Sequence, residues 1–150
     1  MSNADLDIVV ATGPLLEDWR AIHNAIIPTH PLSADDVAER STRNRLTLAY
    51  VDGRLVGNAT VRPPHEPDGV ATVIVRILPE HRRHGHGTAY LRAELAEARL
   101  RGARRIETVV LASNADGLAF ALAHGFAEHD RYVLDGDTIA FIDLHLSEEA

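Results

Sequence analysis

Several residue types that mark particular protein classes are missing from this chain of 150 residues. It has no cysteine, which excludes a disulfide framework, a thiolate metal site and a cysteine nucleophile. It has no lysine either, so all 15 basic residues are arginines, and the formal net charge is −7. Because an acidic chain is poorly suited to the nucleic acid backbone, we expect no nucleic acid partner and a mild preference for cationic substrates.

Long apolar segments are also missing. No apolar run reaches the roughly 20 residues that a transmembrane helix needs, and residues 1–7 are polar and acidic, unlike a signal peptide. We therefore expect no membrane partner and a cytoplasmic location. The composition, 45% hydrophobic and 25% charged, predicts one globular domain over residues 1–150.

Residues 75–88 combine the features of a phosphate-binding loop. An apolar, β-branched run leads into this segment, as a buried strand would, and Pro79 ends that strand. Residues 82–87, Arg-Arg-His-Gly-His-Gly, then precede a helical pattern that starts near Thr88. The glycines allow a tight turn and close approach of a ligand, and the helix N-terminus offers unpaired N–H groups. The segment therefore predicts a phosphate or pyrophosphate site.

Two common phosphate motifs do not fit this segment. It lacks the Gly-Lys-Ser/Thr ending of a Walker loop, and Tyr90 occupies the position of the third small residue of a dinucleotide fingerprint. The segment instead resembles the acyl-coenzyme A signature of the GCN5-related N-acetyltransferases, the GNAT family, with Arg82-x-x-Gly85-x-Gly87 after a strand ending in Ile-Leu-Pro. A second landmark of that family, an asparagine followed by a helix ending in Gly-Phe, is matched from Asn114 to Phe126.

The predicted elements follow the order β-α-α-β-β-β-α-β-α-β-β, which is the α+β order of the resembled family. The resemblance implies a central mixed, mostly antiparallel sheet flanked by helices. We expect strands over residues 7–12, 46–51, 55–61, 70–78, 106–111, 127–134 and 138–146, and helices over 15–27, 34–40, 88–101 and 115–123.

Several local features are predicted within these elements. Ser33 and Asn114 are expected to cap helices, and Gly102 is expected to end one. Residues 63–69 are expected to form a loop, and Asp135-Gly136 a tight hairpin turn. The inner face of the last helix is predicted to consist of Leu118, Ala119 and Leu122.

The resemblance implies a set of residues that bind acetyl-coenzyme A (acetyl-CoA). Backbone N–H groups from Arg83 to Thr88 would hold the pyrophosphate, and the strand near Ile77 would bind the pantetheine arm and polarise the thioester carbonyl. The full predicted set is Ile77, Leu78, Arg82, Arg83, His84, Gly85, His86, Gly87, Thr88, Asn114 and Phe120.

Two residues that many family members use for proton transfer are missing. The tyrosine that usually follows an aromatic or aliphatic residue in the last helix is Ala121 here, and a glutamate of the preceding strand corresponds to Val109. Tyr132 is our candidate for the catalytic acid, and a half-buried structural tyrosine on the strand is the simpler alternative interpretation. Further candidates, without positional support, are Glu107, His124 and His129.

Two other groups of residues admit alternative interpretations. His81, His84 and His86 cluster like metal ligands, but no carboxylate pair has ligand spacing nearby, so we predict no metal and interpret them as phosphate donors or solvated side chains. Ile139 and Phe141 form an outward pair on the last strand, which would mark a homodimer edge or a surface covered by a helix.

The resemblance implies direct acyl transfer from acetyl-CoA to a primary amine of a small molecule or a peptide. Because the usual tyrosine and glutamate are missing, a non-catalytic sensor or scaffold that binds acyl-CoA is the alternative. A third interpretation, a nucleotide-binding protein of another fold, depends on Glu107, which lies about twenty residues beyond the glycines, as an acidic residue does in dinucleotide-binding proteins.

Overall fold

The computed structural model describes residues 5–147, and the ends of the predicted domain, residues 1–4 and 148–150, lie outside this range. Its strands are β1 (Leu6–Val10), β2 (Arg45–Val51), β3 (Arg54–His65), β4 (Val70–Ile77), β5 (Arg105–Leu111), β6 (Phe126–Tyr132) and β7 (Phe141–Leu146). Its helices are α1 (Leu15–Ile26), α2 (Ala34–Ser41), α3 (His86–Leu100) and α4 (Ala115–Ala123). A 3₁₀ turn, Pro79–His81, follows β4. The predicted order of elements is confirmed.

All seven strands form one sheet in the order β1-β2-β3-β4-β5-β7-β6. Every neighbouring pair is antiparallel except β4 and β5, which are parallel. The predicted α+β fold with a mixed, mostly antiparallel sheet is therefore confirmed.

The parallel pair in the middle of the sheet separates part-way along its length. β4 and β5 are paired from Val70 with Arg105 to Thr72 with Glu107, and no further pairing joins them. Beyond this point the edge of β4 that faces β5 has no strand partner among the described residues. Because backbone N–H and C=O groups need partners, a split of this kind leaves hydrogen-bonding groups available to a ligand.

Helices cover both faces of the sheet. On one face, Trp19 and Ile22 of α1 and Val37 of α2 pack against β2 and are almost fully buried. On the other face, Leu91 and Ala98 of α3 join the core, together with the buried residues Ala121, Ile142 and Leu144. Successive residues of a strand point to opposite faces, so β4 contributes side chains to both layers.

The predicted helix caps are confirmed. Ser33 accepts a hydrogen bond from the Asp36 N–H, and the Asp36 carboxylate accepts one from the Ser33 N–H, which completes a capping box. Asn114 caps α4 through the Gly117 N–H. Helix α3 begins at His86, slightly before the expected Thr88, because Gly85 already lies in its N-cap position. Gly102 follows the end of α3 with a φ of +97°.

Two predicted connections differ from the structure. β3 continues through Pro63 and Pro64 to His65, where a loop was predicted, because its pairing with β4 is interrupted by a bulge between Arg62 and His65 that removes the need for proline N–H groups. The last hairpin has shorter strands than predicted, since β6 ends at Tyr132 and β7 begins at Phe141. The predicted turn at Asp135-Gly136 is present: the Asp137 N–H donates to the Leu134 carbonyl oxygen at 2.9 Å. Residues 133–140 form a longer connection, which His30 contacts through the Asp137 carboxylate at 2.9 Å.

The predicted inner face of α4 is wrong in part. Leu118 packs against the core as expected, but Ala119 is exposed and Leu122 is 52% exposed. Ala121 is the buried residue instead, because α4 turns Leu118 and Ala121 toward the sheet. Phe120, next to it, packs at the edge of the core.

Of the predicted outward pair, Ile139 lies before β7 and Phe141 begins it, and Phe141 is partly covered. The Phe141 ring lies 5.2 Å from the His30 ring and 5.9 Å from the Tyr132 ring, measured between centroids. Phe141 is therefore half-buried beneath the connection between α1 and α2, not beneath a helix. The homodimer stays a prediction.

Candidate functional site

A cleft of about 430 Å³ lies where β4 and β5 separate. Its floor consists of the second half of β4 and most of β5, and α4 and the start of α3 close one side. The segment between β4 and α3 lines one part of the cleft, and Ile26 and Ile27 at the end of α1 line another. One continuous cavity therefore joins the predicted phosphate loop to the helix α1 side of the sheet.

The backbone of the predicted phosphate loop has two left-handed residues. Arg83 has a φ of +67°, which is unusual for a residue with a side chain, and Gly85 has a φ of +81°. Left-handed residues next to right-handed ones turn successive N–H groups toward one side, which forms an anion-binding concavity. A Cβ at Gly85 would meet nothing within 4 Å, so the loop is open on that side. The start of α3 adds its unpaired N–H groups.

Gly87 is constrained by packing and not by its backbone angle. A Cβ at this position would lie 3.0 Å from Phe120 Cε1, which is tighter than ordinary van der Waals contact. Glycine at this position therefore lets the first turn of α3 approach α4, which brings the two helix N-termini to the same end of the cleft.

The Arg82 side chain joins the two sides of the split. Its Nε donates to the Ile77 carbonyl oxygen at 2.8 Å, and its Nη1 donates to Asp116 Oδ2 at 2.9 Å. This links the end of β4 to the first turn of α4. Because these two contacts join β4 to α4 around the loop, the geometry favours a role for Arg82 in positioning the loop.

His124, which follows the end of α4 and lines the cleft, is held in one tautomer. His124 Nδ1 lies 2.8 Å from the Phe120 carbonyl oxygen, which can only accept, so Nδ1 carries the proton. The Thr88 hydroxyl then donates to His124 Nε2 at 2.8 Å in the neutral ring. Both ring nitrogens are thus occupied, which leaves His124 poorly placed to act as a base.

The structure brings together most of the predicted cofactor-binding residues. The cleft is lined by Ile77, Arg82, Arg83, Gly85, Gly87, Thr88, Asn114 and Phe120. Leu78, His84 and His86 are not among its lining residues. Leu78 packs against the buried cluster that contains Trp19, Ile22 and Val37. Its N–H donates to the Val56 carbonyl oxygen at 2.8 Å. Whether any of these residues binds a cofactor stays a prediction.

The clustered histidines next to the loop lie close together but show no ligand set. The His84 and His86 rings are 5.7 Å apart, and burial together with His84 and His81 lowers the pKa of His86. Within residues 5–147, no group of three or more histidine, aspartate or glutamate side chains is arranged to hold a metal ion.

The candidate catalytic acid lies outside the cleft lining. Tyr132, on β6, donates a hydrogen bond to Asp143 Oδ1 at 3.2 Å, and burial followed by the Asp143 charge raises the pKa of the tyrosine. Burial and the Glu107 charge raise the pKa of Asp143. Glu107 itself accepts from the Thr72 hydroxyl at 3.1 Å and lies 3.3 Å from His145.

The two carboxylates, Asp143 and Glu107, lie on the same face of the sheet as α1. That face of β4 carries Thr72, Ile74 and Arg76, which are two residues apart along the strand. The hydrogen bond from Thr72 to Glu107 places the glutamate on this face as well. The other candidate, His129, stacks on His145 at 3.9 Å between ring centroids and is exposed.

Sequence reasoning missed Arg76, which lines the cleft. One signal was available: a single charged residue interrupts the apolar run Val-Ile-Val-Arg-Ile at residues 73–77, and charged side chains are rarely buried without a reason. The contribution of Ile26 and Ile27 could not be read in this way, because ordinary apolar residues at a helix end carry no such signal.

Comparisons with known proteins agree with this geometry. A family model described as the acetyltransferase (GNAT) family matches residues 14–126. Among solved structures, a candidate phosphinothricin N-acetyltransferase is similar at 24% identity and a TM-score of 0.79, covering 96% of this chain and 100% of that one. The ribosomal-protein-S18-alanine N-acetyltransferase from Escherichia coli is similar at 22% identity and 0.72, covering 95% and 93%.

A third similar structure is a candidate acetyltransferase from Salmonella typhimurium, solved with its cofactor acetyl-CoA, at 18% identity and a TM-score of 0.73, covering 98% of this chain and 97% of that one. No curated protein matches the sequence. The interpretation as a nucleotide-binding protein of another fold is wrong, since both the family model and the sheet topology contradict it. In the part of the chain described, no helix is long and apolar enough to cross a membrane.

Proposed function

The chain belongs to the GNAT family of acetyltransferases, and we propose that it transfers an acetyl group from acetyl-CoA directly to a primary amine of a small molecule or a peptide. The observation that carries this proposal is the split between β4 and β5, which opens beside a loop with two left-handed residues and the N-terminus of α3. Such a site offers backbone donors for both a thioester arm and a pyrophosphate.

The residues present fit the cofactor. The N–H groups of residues 83–88 would hold the pyrophosphate, and the unpaired edge of β4 up to Ile77 would hold the extended arm. A backbone N–H near Ile77 would polarise the thioester carbonyl, and one such donor typically contributes about 3 kcal/mol to lowering a barrier. The bound cofactor supplies the activated acetyl group. The open space beside Gly85 leaves room for its pyrophosphate.

Proton transfer is the less conventional part of the proposal. An alkyl amine is mostly protonated at neutral pH and must lose a proton before it attacks. We assign Tyr132 as the candidate acid, and its partner Asp143 and the neighbouring Glu107 offer carboxylates on the same face. Because burial raises the pKa of Asp143, this carboxylate is a better proton acceptor near neutral pH than an ordinary aspartate.

The similar structures differ in the acceptor that their names give. Of the similar structures, one bears the name of a small-molecule acetyltransferase and another that of a ribosomal protein acetyltransferase. Both kinds of acceptor present a primary amine, which supports the general statement and neither of the narrower ones. Binding of acetyl-CoA without turnover of any amine would favour the non-catalytic alternative.

The test is a matched pair of glycine variants. Gly85→Glu places a carboxylate where we expect the pyrophosphate, and Gly102→Glu places one at the far end of α3, where φ is also positive and a Cβ meets nothing within 4 Å. Both variants carry a similar backbone strain of about 1–2 kcal/mol. We expect Gly85→Glu to abolish acetyl-CoA binding in calorimetry and Gly102→Glu to retain it. Retained affinity in a folded Gly85→Glu variant would contradict the assignment of the loop.

A further inference from the structure

Arg76 is a cation that has no counter-charge among residues 5–147. It lies on the α1 face of β4, where its Nε is inaccessible to solvent and has no hydrogen-bond partner. Its Nη1 donates a long hydrogen bond to Asn58 Oδ1 at 3.4 Å, and its guanidinium carbon lies 5.9 Å from the centre of the Trp19 ring. No aspartate or glutamate in the described part of the chain forms an ion pair with it.

The surroundings of Arg76 increase the electrostatic cost of its charge. Burial, together with Arg40 of α2 and Arg62 of β3, lowers the pKa of Arg76 to about 10. His23, beneath it in α1, is buried and has a pKa lowered to about 4 by burial and by the Arg76 charge. The nearby groups that titrate are therefore cationic or neutral, and none supplies a negative charge.

The position of Arg76 connects this positive region to the proposed reaction site. Arg76 lines the same cleft as the predicted phosphate loop, and Ile26, Ile27 and Ile74 form apolar walls beside it. It directly precedes Ile77, where we place the thioester carbonyl. A group bound to the Arg76 guanidinium would therefore be attached to the acceptor and not to the distant nucleotide end of the cofactor.

We propose that the acceptor is a small amine that carries a carboxylate, and that Arg76 binds this carboxylate. The proposal rests on the proposed function, because it concerns the acceptor of the same site. A guanidinium presents N–H groups in a planar fork that matches the two oxygens of a carboxylate. Arg40 and Arg62 add positive potential that favours entry of an anion.

Acceptor pairs that differ only in the carboxylate test this proposal. With acetyl-CoA present, release of the coenzyme A thiol is measured for the standard L-amino acids and for their primary amides. We expect turnover of at least one free amino acid and a kcat/KM at least 30-fold lower for its amide. Amides or simple alkylamines that react as well as the acids would overturn the proposal.

Variants of Arg76 separate a binding role from a structural one. Arg76→Gln is expected to lower kcat/KM for the free amino acid at least 30-fold and to leave kcat/KM for the amide and the calorimetric affinity for acetyl-CoA unchanged within about twofold. Arg76→Lys should restore part of the loss. The control is Arg92→Gln on the exposed side of α3, which changes the net charge equally. An equal loss for acid and amide would assign Arg76 a structural role.

A titration without turnover separates failure of this proposal from failure of the proposed function. The Arg76 Nε–H signal, identified by its loss in Arg76→Gln, is followed by NMR in the presence of coenzyme A. We expect a shift with N-acetylglycine and none with N-acetylglycinamide. If no amine reacts but this shift is seen, the anion site holds and the transferase activity fails. If neither compound shifts the signal, the anion site is overturned even in an active enzyme.

Discussion

Arg45 and Arg76 lie on opposite faces of one sheet, and among the residues described only Arg45 has a carboxylate partner. Arg45 of β2 faces α3, where its Nε and Nη2 donate to the two carboxylate oxygens of Glu94 at 3.4 and 3.2 Å. Arg76 of β4 faces α1, where it meets the Trp19 ring and the Asn58 amide oxygen.

The difference between the two arginines separates stability from function. The Arg45 pair belongs to a buried network, since Glu94 also accepts from the Thr47 hydroxyl at 3.2 Å and that hydroxyl contacts Tyr90 Oη at 2.6 Å. Each charge in this network has its counter-charge within the protein. On the Arg76 side the described part of the chain supplies no counter-charge, as expected of a site in which a bound ligand supplies it.

The largest expected effect compares the stability of two methionine variants. Arg45→Met leaves Glu94, whose side chain is 1% exposed, buried without its partner, and should lower the free energy of unfolding by about 3–5 kcal/mol. Arg76→Met removes a charge that no carboxylate balances, so we expect a loss below about 1 kcal/mol. Urea unfolding at neutral pH measures both. A comparable loss in the two variants would erase the distinction.

The next effect is the pH dependence on the Arg76 side. The folded-state pKa of His23, about 4, lies below its unfolded value, so the unfolded chain takes up the proton first as the pH falls. The stabilisation is complete above about pH 6.5 and is lost progressively toward pH 4, a loss on the order of 3 kcal/mol.

Urea unfolding between pH 7 and pH 4 measures this loss. His23→Gln should flatten the profile, and the control His65→Gln, at an exposed position, should not. An unchanged slope in His23→Gln would show that other groups cause the pH dependence.

A smaller effect concerns the proton chemistry on the same face. Removal of the Tyr132 hydroxyl, which donates to Asp143, should slow turnover at least tenfold and leave acetyl-CoA affinity unchanged. Steady-state kinetics and calorimetry on Tyr132→Phe measure the two quantities. The matched control is Tyr50→Phe, since Tyr50 packs against the buried cluster that contains Trp19. Equal rates for wild type and Tyr132→Phe would make this tyrosine structural.

The smallest effect concerns the loop side of the cleft. In Gly87→Ala, the new Cβ would lie 3.0 Å from Phe120 Cε1, so the ring must move by a few tenths of an ångström. We expect acetyl-CoA affinity to fall only severalfold, and Phe120→Leu to restore part of it in the double variant because the smaller side chain yields space. If the double variant loses more acetyl-CoA binding free energy than the two single variants lose together, Phe120 has another role.

The features predicted correctly are those that neighbouring residues determine. The helix cap at Ser33 and the loop before α3 depend on residues a few positions apart, and the glycine at position 85 adopts the positive φ that such a loop requires. The order of the elements followed from local periodicity in the same way. The prediction for residues 63–65 failed because the β3–β4 pairing, with its bulge, is a property of two strands and not of the prolines.

The acceptor side depends on contacts that no local pattern encodes. Arg76 meets Trp19 from α1 and Asn58 from β3, and His30 contacts Asp137 across 107 positions of the chain. The sequence shows Arg76 as one charge in an apolar strand, but whether that charge is paired depends on which side chains the fold brings beside it.

The measurement that tests the account most directly is thermal unfolding of the intact chain with acetyl-CoA, with NAD run alongside. A ligand at a hundred times its dissociation constant stabilises the folded state by about 2.7 kcal/mol. We predict a clear rise in the unfolding temperature with acetyl-CoA and none with NAD. No rise with acetyl-CoA, or a rise with NAD, would contradict the assignment of the cleft between β4 and β5 as an acyl-CoA site.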